Sequence, residues 1–384
     1  MALLSAGHFF TDVNQGALPA ILPFLIAEQG LSYAAAASLV FAANFVSSVI
    51  QPLFGHLADR VSKPWLMPAG VFAAGLGLAF TGFTEAYWLL FLAAMVSGVG
   101  VAAFHPEAAR MANKVAGEKK ATGVSFFAVG GNAGFAVGPV MTTAALLFWG
   151  LKGTLVLLVP VTVMALALWR EAGGLQQFQL AEAKKAAAAK TATARDEWGA
   201  FARLLAVVFS RSVIFYGCTT FIPLYWIGVL QQSKAAGGTA LSVLLFTGAI
   251  GTLIGGRLAD RYGFRQVMRT GFAALVPVML LFALTTEVTT ATLLLVPAGL
   301  CLYIPFSPTV VLGQRYLPNR MGLASGVTLG LAVSIGGLVT PLLGWVADTY
   351  GLQTAMLIIT GVPVFAALAA FTLPEPGRAT ATEQ

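Results

Sequence analysis

The sequence predicts an all-α membrane protein, with twelve transmembrane helices in two pseudo-symmetric six-helix bundles. Three observations predict it. Of 384 residues, 58% are hydrophobic and only 10% are charged, against about 25% charged in a soluble domain. Twelve stretches are apolar over most of the roughly 20 residues a helix needs to cross a bilayer. And GHLADR, starting at Gly55, returns as GRLADR starting at Gly256, 201 residues later.

The repeat runs through the chain. Leu22-Pro23-Phe24-Leu25 is echoed by Ile222-Pro223-Leu224-Tyr225. Phe104-His105-Pro106 is echoed by Phe306-Ser307-Pro308, and Ala121-Thr122-Gly123-Val124 by Ala324-Ser325-Gly326-Val327. The spacing drifts only from 200 to 203. Echoes kept in order imply duplication, a common construction in secondary transporters.

In chain order, the first bundle (residues 1–170) holds spans at 2–27, 33–56, 64–83, 86–110, 121–148 and 152–170. Residues 171–198 are rich in Ala, Lys and Glu, which favours helix, but have a thin apolar side and read as a cytoplasmic linker. The second bundle (199–374) holds spans at 200–229, 237–259, 266–285, 289–314, 321–347 and 351–373. Residues 375–384 form a short polar cytoplasmic tail. Gly and Pro punctuate the spans, which lipid tolerates because neighbouring helices re-satisfy the backbone.

Basic residues set the orientation. With both termini cytoplasmic, 19 of the 22 Lys and Arg fall on the inner side; Lys152 and Lys234 fall outside and Arg211 within a helix. Topology thus accounts for the net charge of +7 without nucleic acid. The placement expected is a bacterial-type inner membrane. Cys218 and Cys301 lie in spans and read as packing residues, with no disulfide or metal spacing. No basic leader segment or cleavage site precedes the first span, so no signal peptide is predicted. A nucleotide loop, a metal-ligand cluster and a nucleophile elbow are all missing from the sequence. This argues against an enzyme and against any cofactor or metal.

Gly55–Lys63 reads GHLADRVSK. It resembles the inner-loop signature of the major facilitator superfamily, G-x-L-A-D-R-x-G-R-K, with Ser62 where the family usually has Gly. The second copy keeps Gly256, Asp260 and Arg261. The resemblance implies the major facilitator fold and a conformational latch at Gly55, Asp59, Arg60, Gly256, Asp260 and Arg261. There the glycine permits close helix contact and Asp59 holds the halves together in one state. It also implies a monomer. In the fifth span, Gly130, Gly134, Gly138 and Pro139 put glycines on one helix face, where backbones can meet. This resembles the G-x3-G-x3-G-P motif of drug/proton antiporters, without the glycine pair that often follows the proline. FHPEAARMA from Phe104, His8-x3-Asp12, GNAGFAVGP from Gly131 and Gln314-Arg315-Tyr316-Leu317-Pro318 resemble the fosmidomycin-resistance branch. Its members are implied to be proton-driven exporters of small drugs.

Ionisable residues inside a span are costly and point to function. Asp12 lies about ten residues, roughly 15 Å, into the first helix. His8 is one turn away on the same face. Arg211 stands at similar depth in the seventh span, where the repeat aligns it with Thr11. Asp12 and Arg211 are therefore expected to face one another across the pseudo-two-fold axis, as a coupled site or as a static ion pair. Asp12, His8, His105 and Glu107 are the candidate proton-coupling residues; for Glu107 a local pair with Arg110 competes. Arg211, Asn14, Gln15, Asn132, Tyr216 and Tyr303 are the candidate substrate contacts, with Arg211 suited to an anionic group.

The function expected is a proton-coupled antiporter that exports small drugs or organic anions, such as the phosphonate fosmidomycin, by alternating access. The proton gradient would be its energy source. The alternatives are a proton-coupled uptake symporter or exchanger for an organic anion or sugar and, less favoured, a non-transporting membrane enzyme or sensor.

Overall fold

The computed structural model describes residues 1–60, 63–116, 120–186, 196–320, 323–324, 327–328 and 332–375. In the first half, α1 is Ala2–Gln29, α2 Tyr33–Arg60, α3 Leu66–Phe80, α4 Tyr87–Val115, α5 Lys120–Trp149 and α6 Leu158–Ala186. In the second half, α7 is Trp198–Gly228, α8 Lys234–Tyr262, α9 Phe264–Leu284, α10 Val288–Tyr303, α11 Phe306–Tyr316, α12 Ala332–Tyr350 and α13 Leu352–Phe371. Ten stretches of the described residues are long and apolar enough to cross a membrane. One of them, Phe126–Gln177, covers the fifth and sixth predicted spans together. The eleventh predicted span begins outside the described residues. Large apolar side chains such as Phe148, Trp88, Leu293 and Phe365 point outward, as expected of a surface that meets lipid rather than water.

Packing repeats between the halves. α1 lies on α5 as α7 lies on α12; α2 on α4 as α8 on α10; α3 on α6 as α9 on α13. The seams between halves also come as a matched pair, α2 with α12 and α5 with α8. Small residues set the closest approaches. A side chain at Gly130, Gly134 or Gly138 would strike the backbone carbonyls of Ser5, Phe9 or Val13 on α1. This is the packing role expected of those glycines.

Three details depart from the sequence expectation or refine it. The predicted span 289–314 is broken after Tyr303, giving α10 and α11. Pro305 and Pro308 stand at the break, and proline supplies no N–H to the helix ladder. Its counterpart α4 carries Pro106 alone and runs on unbroken. α6 extends to Ala186, so the helix-favouring part of the linker is helical. Where the chain returns at residue 196, Asp196 accepts a bond from Asn319 N at 3.1 Å and pairs with Arg320 at 3.5 Å, docking the linker on the second half. Gly256 does not make the close contact expected of it, since a Cβ there would meet nothing within 4 Å. Its neighbour Gly255 does, against the Ile304 carbonyl of the loop after α10.

One end of the bundle, where α1 joins α2, is closed across the seam. Asp348, near the end of α12, accepts bonds from Tyr33 N at 2.7 Å and Ala34 N at 2.9 Å, satisfying the free amides at the start of α2. Thr340 donates to the Ala37 carbonyl at 3.3 Å. Lys234 lies over the Phe24 ring at 4.3 Å. At the same end, exposed Glu287 caps α10: its oxygens accept from Thr289 N at 2.8 Å and Thr290 N at 2.5 Å. Hydrogen bonds from Thr290 and then Thr289 hold its carboxyl down at about 2.

Candidate functional site: a carboxylate between two imidazoles

α1 and α4 build the charged centre. His8 and Asp12 are one turn apart, and His8 Nε2 lies 3.2 Å from Asp12 Oδ2. His105, reached through the α4 contact, brings its Nε2 to 3.1 Å from Asp12 Oδ1. The far nitrogen of each ring is also tied. His8 Nδ1 is 2.9 Å from the Phe127 carbonyl and His105 Nδ1 is 3.0 Å from the Val101 carbonyl. The His8 ring stacks on Phe127, with centroids 4.1 Å apart. Gly131 on α5 clears the space, because a Cβ there would meet His8 Cε1 and Nε2 and Asp12 Oδ2. Gln15 Nε2 completes the shell with a 2.7 Å bond to Asp12 Oδ1. Among the described residues, His8, Asp12 and His105 are also the donor trio near enough to share a cation, with ligand atoms within 4.8 Å of one another. The sequence pattern had shown no such cluster, because 93 residues separate Asp12 from His105.

The expected facing pair of Asp12 and Arg211 is not formed. Asp12 is taken by the histidines. Arg211 lies over the Phe306 ring at 4.7 Å, and no carboxylate among the described residues makes a salt bridge with it. Alignment by repeat put the two at one depth but could not see that His105 would enter between helices and claim the carboxylate. Tyr216 and Tyr303 both lie near enough to feel the charges of Arg211 and Asp12. Glu107 is buried, 1% exposed, and receives two bonds from Arg110 Nη2 at 3.0 and 2.9 Å. The local pair is thus the arrangement observed for it.

A small cavity of about 30 Å³ adjoins the cluster. Its polar lining is Asn14, Gln15, Asn44, Ser47, Ser97, Tyr216 and Thr219, with no charged side chain. Asn14 Nδ2 donates to the Phe10 carbonyl at 2.7 Å, which turns Oδ1 the other way. That oxygen is buried without a partner, a costly state for an acceptor unless a ligand donates to it. Of the residues expected to touch substrate, Asn14, Gln15 and Tyr216 line this cavity, while Arg211, Asn132 and Tyr303 do not. The sequence reading missed Gly131, Phe127, Phe306 and Asp348. Gly131 and Phe306 sit in stretches already singled out; nothing in the sequence marks the other two.

Of the latch residues, the side chains of Gly55, Asp59 and Arg60 lie outside the described residues. Asp260 and Arg261 are exposed, with Arg261 over the Tyr262 ring at 5.2 Å.

Apolar spans folded as two matched halves around a central polar site define a secondary transporter, and comparison with known proteins agrees. Residues 4–341 match the model of the Major Facilitator Superfamily, and the chain belongs to that superfamily. It is 31% identical over 379 residues to an uncharacterized MFS-type transporter, YfnC, of Bacillus subtilis (strain 168), covering 97% of this chain and 92% of that one. It is 27% identical over 382 residues to the fosmidomycin resistance protein of Escherichia coli (strain K12), covering 98% and 92%. Among solved structures, a bacterial homolog of the human lysosomal transporter Spinster, inward-facing and occupied, superposes with a TM-score of 0.80 at 16% identity, covering 96% and 95%. A D-xylose-proton symporter does so at 0.75 and 15%, covering 98% and 97%. The chain is an integral membrane transporter and not an enzyme.

Proposed function

We propose that this chain is a proton-coupled antiporter that exports small organic anions bearing hydroxyl or amide donors, phosphonates such as fosmidomycin first among them. The observation that carries this reading is the division of charge: a carboxylate held between two imidazoles on one side and, on the other, a guanidinium with no carboxylate partner among the described residues. The neutral cavity adjoins the first centre, and Tyr216 reaches from its wall toward the second. A half-buried arginine inside a span is suited to the anionic end of a cargo. The unpartnered Asn14 Oδ1 calls for a donor on the cargo. Kinship with the fosmidomycin resistance protein supports the cargo class.

Opposed movement requires proton and cargo to exclude one another. The shared element is Asp12, whose oxygens accept either from the imidazoles and Gln15 or from a donor on the cargo. Both termini face the cytoplasm in this reading, following the distribution of basic residues, in a bacterial inner membrane. The end closed by Asp348 then faces outward, which suits a state that loads from inside. The latch at Asp59 and Asp260, the monomeric state and the two-bundle division at 170 and 199 belong to the same proposal, and the proton gradient supplies the energy.

One observation favours a second reading. The cavity lining is wholly neutral, with the amides and hydroxyls that suit a polyol. Symport of a sugar-like molecule would use these groups once the helices part to widen the cavity.

Proteoliposomes with an imposed pH gradient separate the two. Fosmidomycin added on the proton-poor side should collapse the gradient through proton exchange, and neutral sugars added on either side should not. Collapse with a sugar and none with fosmidomycin would replace the first reading by the second.

A further inference from the structure

We propose that His8, Asp12 and His105 form a binding site for a divalent transition-metal cation that favours imidazole, such as Zn²⁺. Two ring nitrogens and one carboxylate would hold the ion between α1 and α4. Binding stands apart from the proton-coupling reading above; only its effect on transport rests on that reading.

The direction of the ring lone pairs is the first support. A backbone carbonyl oxygen has no hydrogen and only accepts. At 2.9 and 3.0 Å from such oxygens, Nδ1 of His8 and Nδ1 of His105 act as the donors. In a neutral ring with its hydrogen on Nδ1, Nε2 presents a lone pair. Both Nε2 atoms stand against oxygens of one carboxylate, at 3.2 and 3.1 Å. Three electron-rich donors from two helices thus converge. Bare, they repel one another; a cation among them turns repulsion into bonding. An imidazole tied by a carbonyl at one nitrogen and open at the other is the arrangement that orients a metal-binding histidine.

Spacing is the second support. Ligand atoms about 2.0–2.2 Å from a zinc ion, at angles of roughly 90–110°, stand about 2.8–3.6 Å apart. Both nitrogen-to-oxygen gaps fall in that range. All the ligand atoms lie within 4.8 Å of one another, so modest ring movements bring them round one ion. Gly131 has no Cβ to fill the space beside His8 Nε2 and Asp12 Oδ2.

The donor set selects the ion. Mg²⁺ and Ca²⁺ take oxygen ligands, whereas imidazole with carboxylate suits Zn²⁺ and its first-row neighbours. Three protein ligands leave a fourth position for water, as in open zinc sites. The approach is from the cavity side, where Gln15 both lines the cavity and bonds Asp12. The side chains of His8, Asp12 and His105 keep 12%, 12% and 20% of their surface exposed, so the cluster is not sealed.

The test uses the full-length protein in lipid nanodiscs, purified on a tag without histidine, stripped with a chelator and titrated with Zn²⁺ by calorimetry. One ion per chain is expected. X-ray absorption at the zinc edge should count two imidazole nitrogens, which tests the site without any variant. His105→Asn and Asp12→Asn should each weaken binding by more than about 100-fold, beyond the 10- to 100-fold expected of a group outside the ligand set. Asparagine at 105 can keep a bond to the Val101 carbonyl but cannot reach the ion. The chain has only three histidines, and His56→Gln should leave binding unchanged, as should excess Mg²⁺. No saturable binding, fewer than two imidazoles, or binding that survives His105→Asn would overturn the site and leave hydrogen bonds alone to join the three groups. Zn²⁺ should also stop fosmidomycin-driven proton flux in vesicles. Binding through two imidazoles with undiminished flux would uphold the site and remove Asp12 from the coupling. If fosmidomycin drives no flux at all, calorimetry and absorption still decide the site.

Discussion

The two halves share one scaffold and differ in one layer of it. Helix pairs match between them, and so do the seams, yet the central chemistry is not repeated. At the repeat spacings read from sequence, the positions of His8, Asp12 and His105 fall on Val208, Ser212 and Ser307. The second half has instead a single fixed charge, Arg211, among Tyr216, Tyr303 and Phe306. The first half thus places a carboxylate and two imidazoles where the second places a guanidinium. In the proposed function this division lets one centre answer to protons while a permanent cation anchors cargo.

The largest effect expected is on the scaffold of the first half. Gly134→Val would drive a side chain into the Phe9 carbonyl, so α1 and α5 must part; a loss of about 3 kcal/mol or more is expected, or no folded protein. Gly256→Ala, in the second-half motif, meets open space. It should be neutral or stabilising by up to about 1 kcal/mol. Thermal unfolding in detergent compares them directly. Equal losses would mean that the motif glycine packs in this state after all.

Next comes the titrating centre. Asp12→Asn should lower proton-linked efflux by about 100-fold or more, in the range general acid–base groups contribute, while leaving the fold intact. Proton flux in vesicles reads it; a loss below threefold would remove Asp12 from the coupling. Arg211→Ala should weaken anionic cargo by roughly 10- to 100-fold, the scale of a charge-assisted hydrogen bond, with neutral molecules little affected. Binding isotherms for a phosphonate and a neutral analogue decide this, and equal losses for both would recast Arg211 as structural.

The smallest effect lies at the α10 cap. The carboxyl of Glu287 is lowered in the folded state, to about 2, so its contribution is present above the unfolded carboxylate range near 4.3 and is lost as pH falls through the folded value. Unfolding temperature should be unaffected by Glu287→Gln only near pH 2, with the substitution mildly destabilising at neutral pH. A difference that grows on acidification would reverse the sign and refute the cap.

The fold was legible because lipid imposes it. Length and apolar runs mark the spans, and the duplicated motif marks the halves. Asp12 and Arg211 were legible for the same reason, since charges inside spans stand out. What joins them was not. The bond from His105 to Asp12 depends on how α4 meets α1, and the role of Gly131 depends on how α5 meets both. Phe127 and Val101 act through backbone carbonyls, which no side-chain pattern reveals. Asp348 looks like any surface acid until α12 is seen to end at the start of α2.

The most direct test of divided labour is the pH dependence of fosmidomycin affinity in the wild type and in Asp12→Asn. The account predicts that wild-type affinity weakens on acidification, as protons claim Asp12, and that Asp12→Asn loses this dependence beyond the cargo's own titration. Affinity that strengthens on acidification through Asp12 would mean that proton and anion bind together. That result would contradict the exporter.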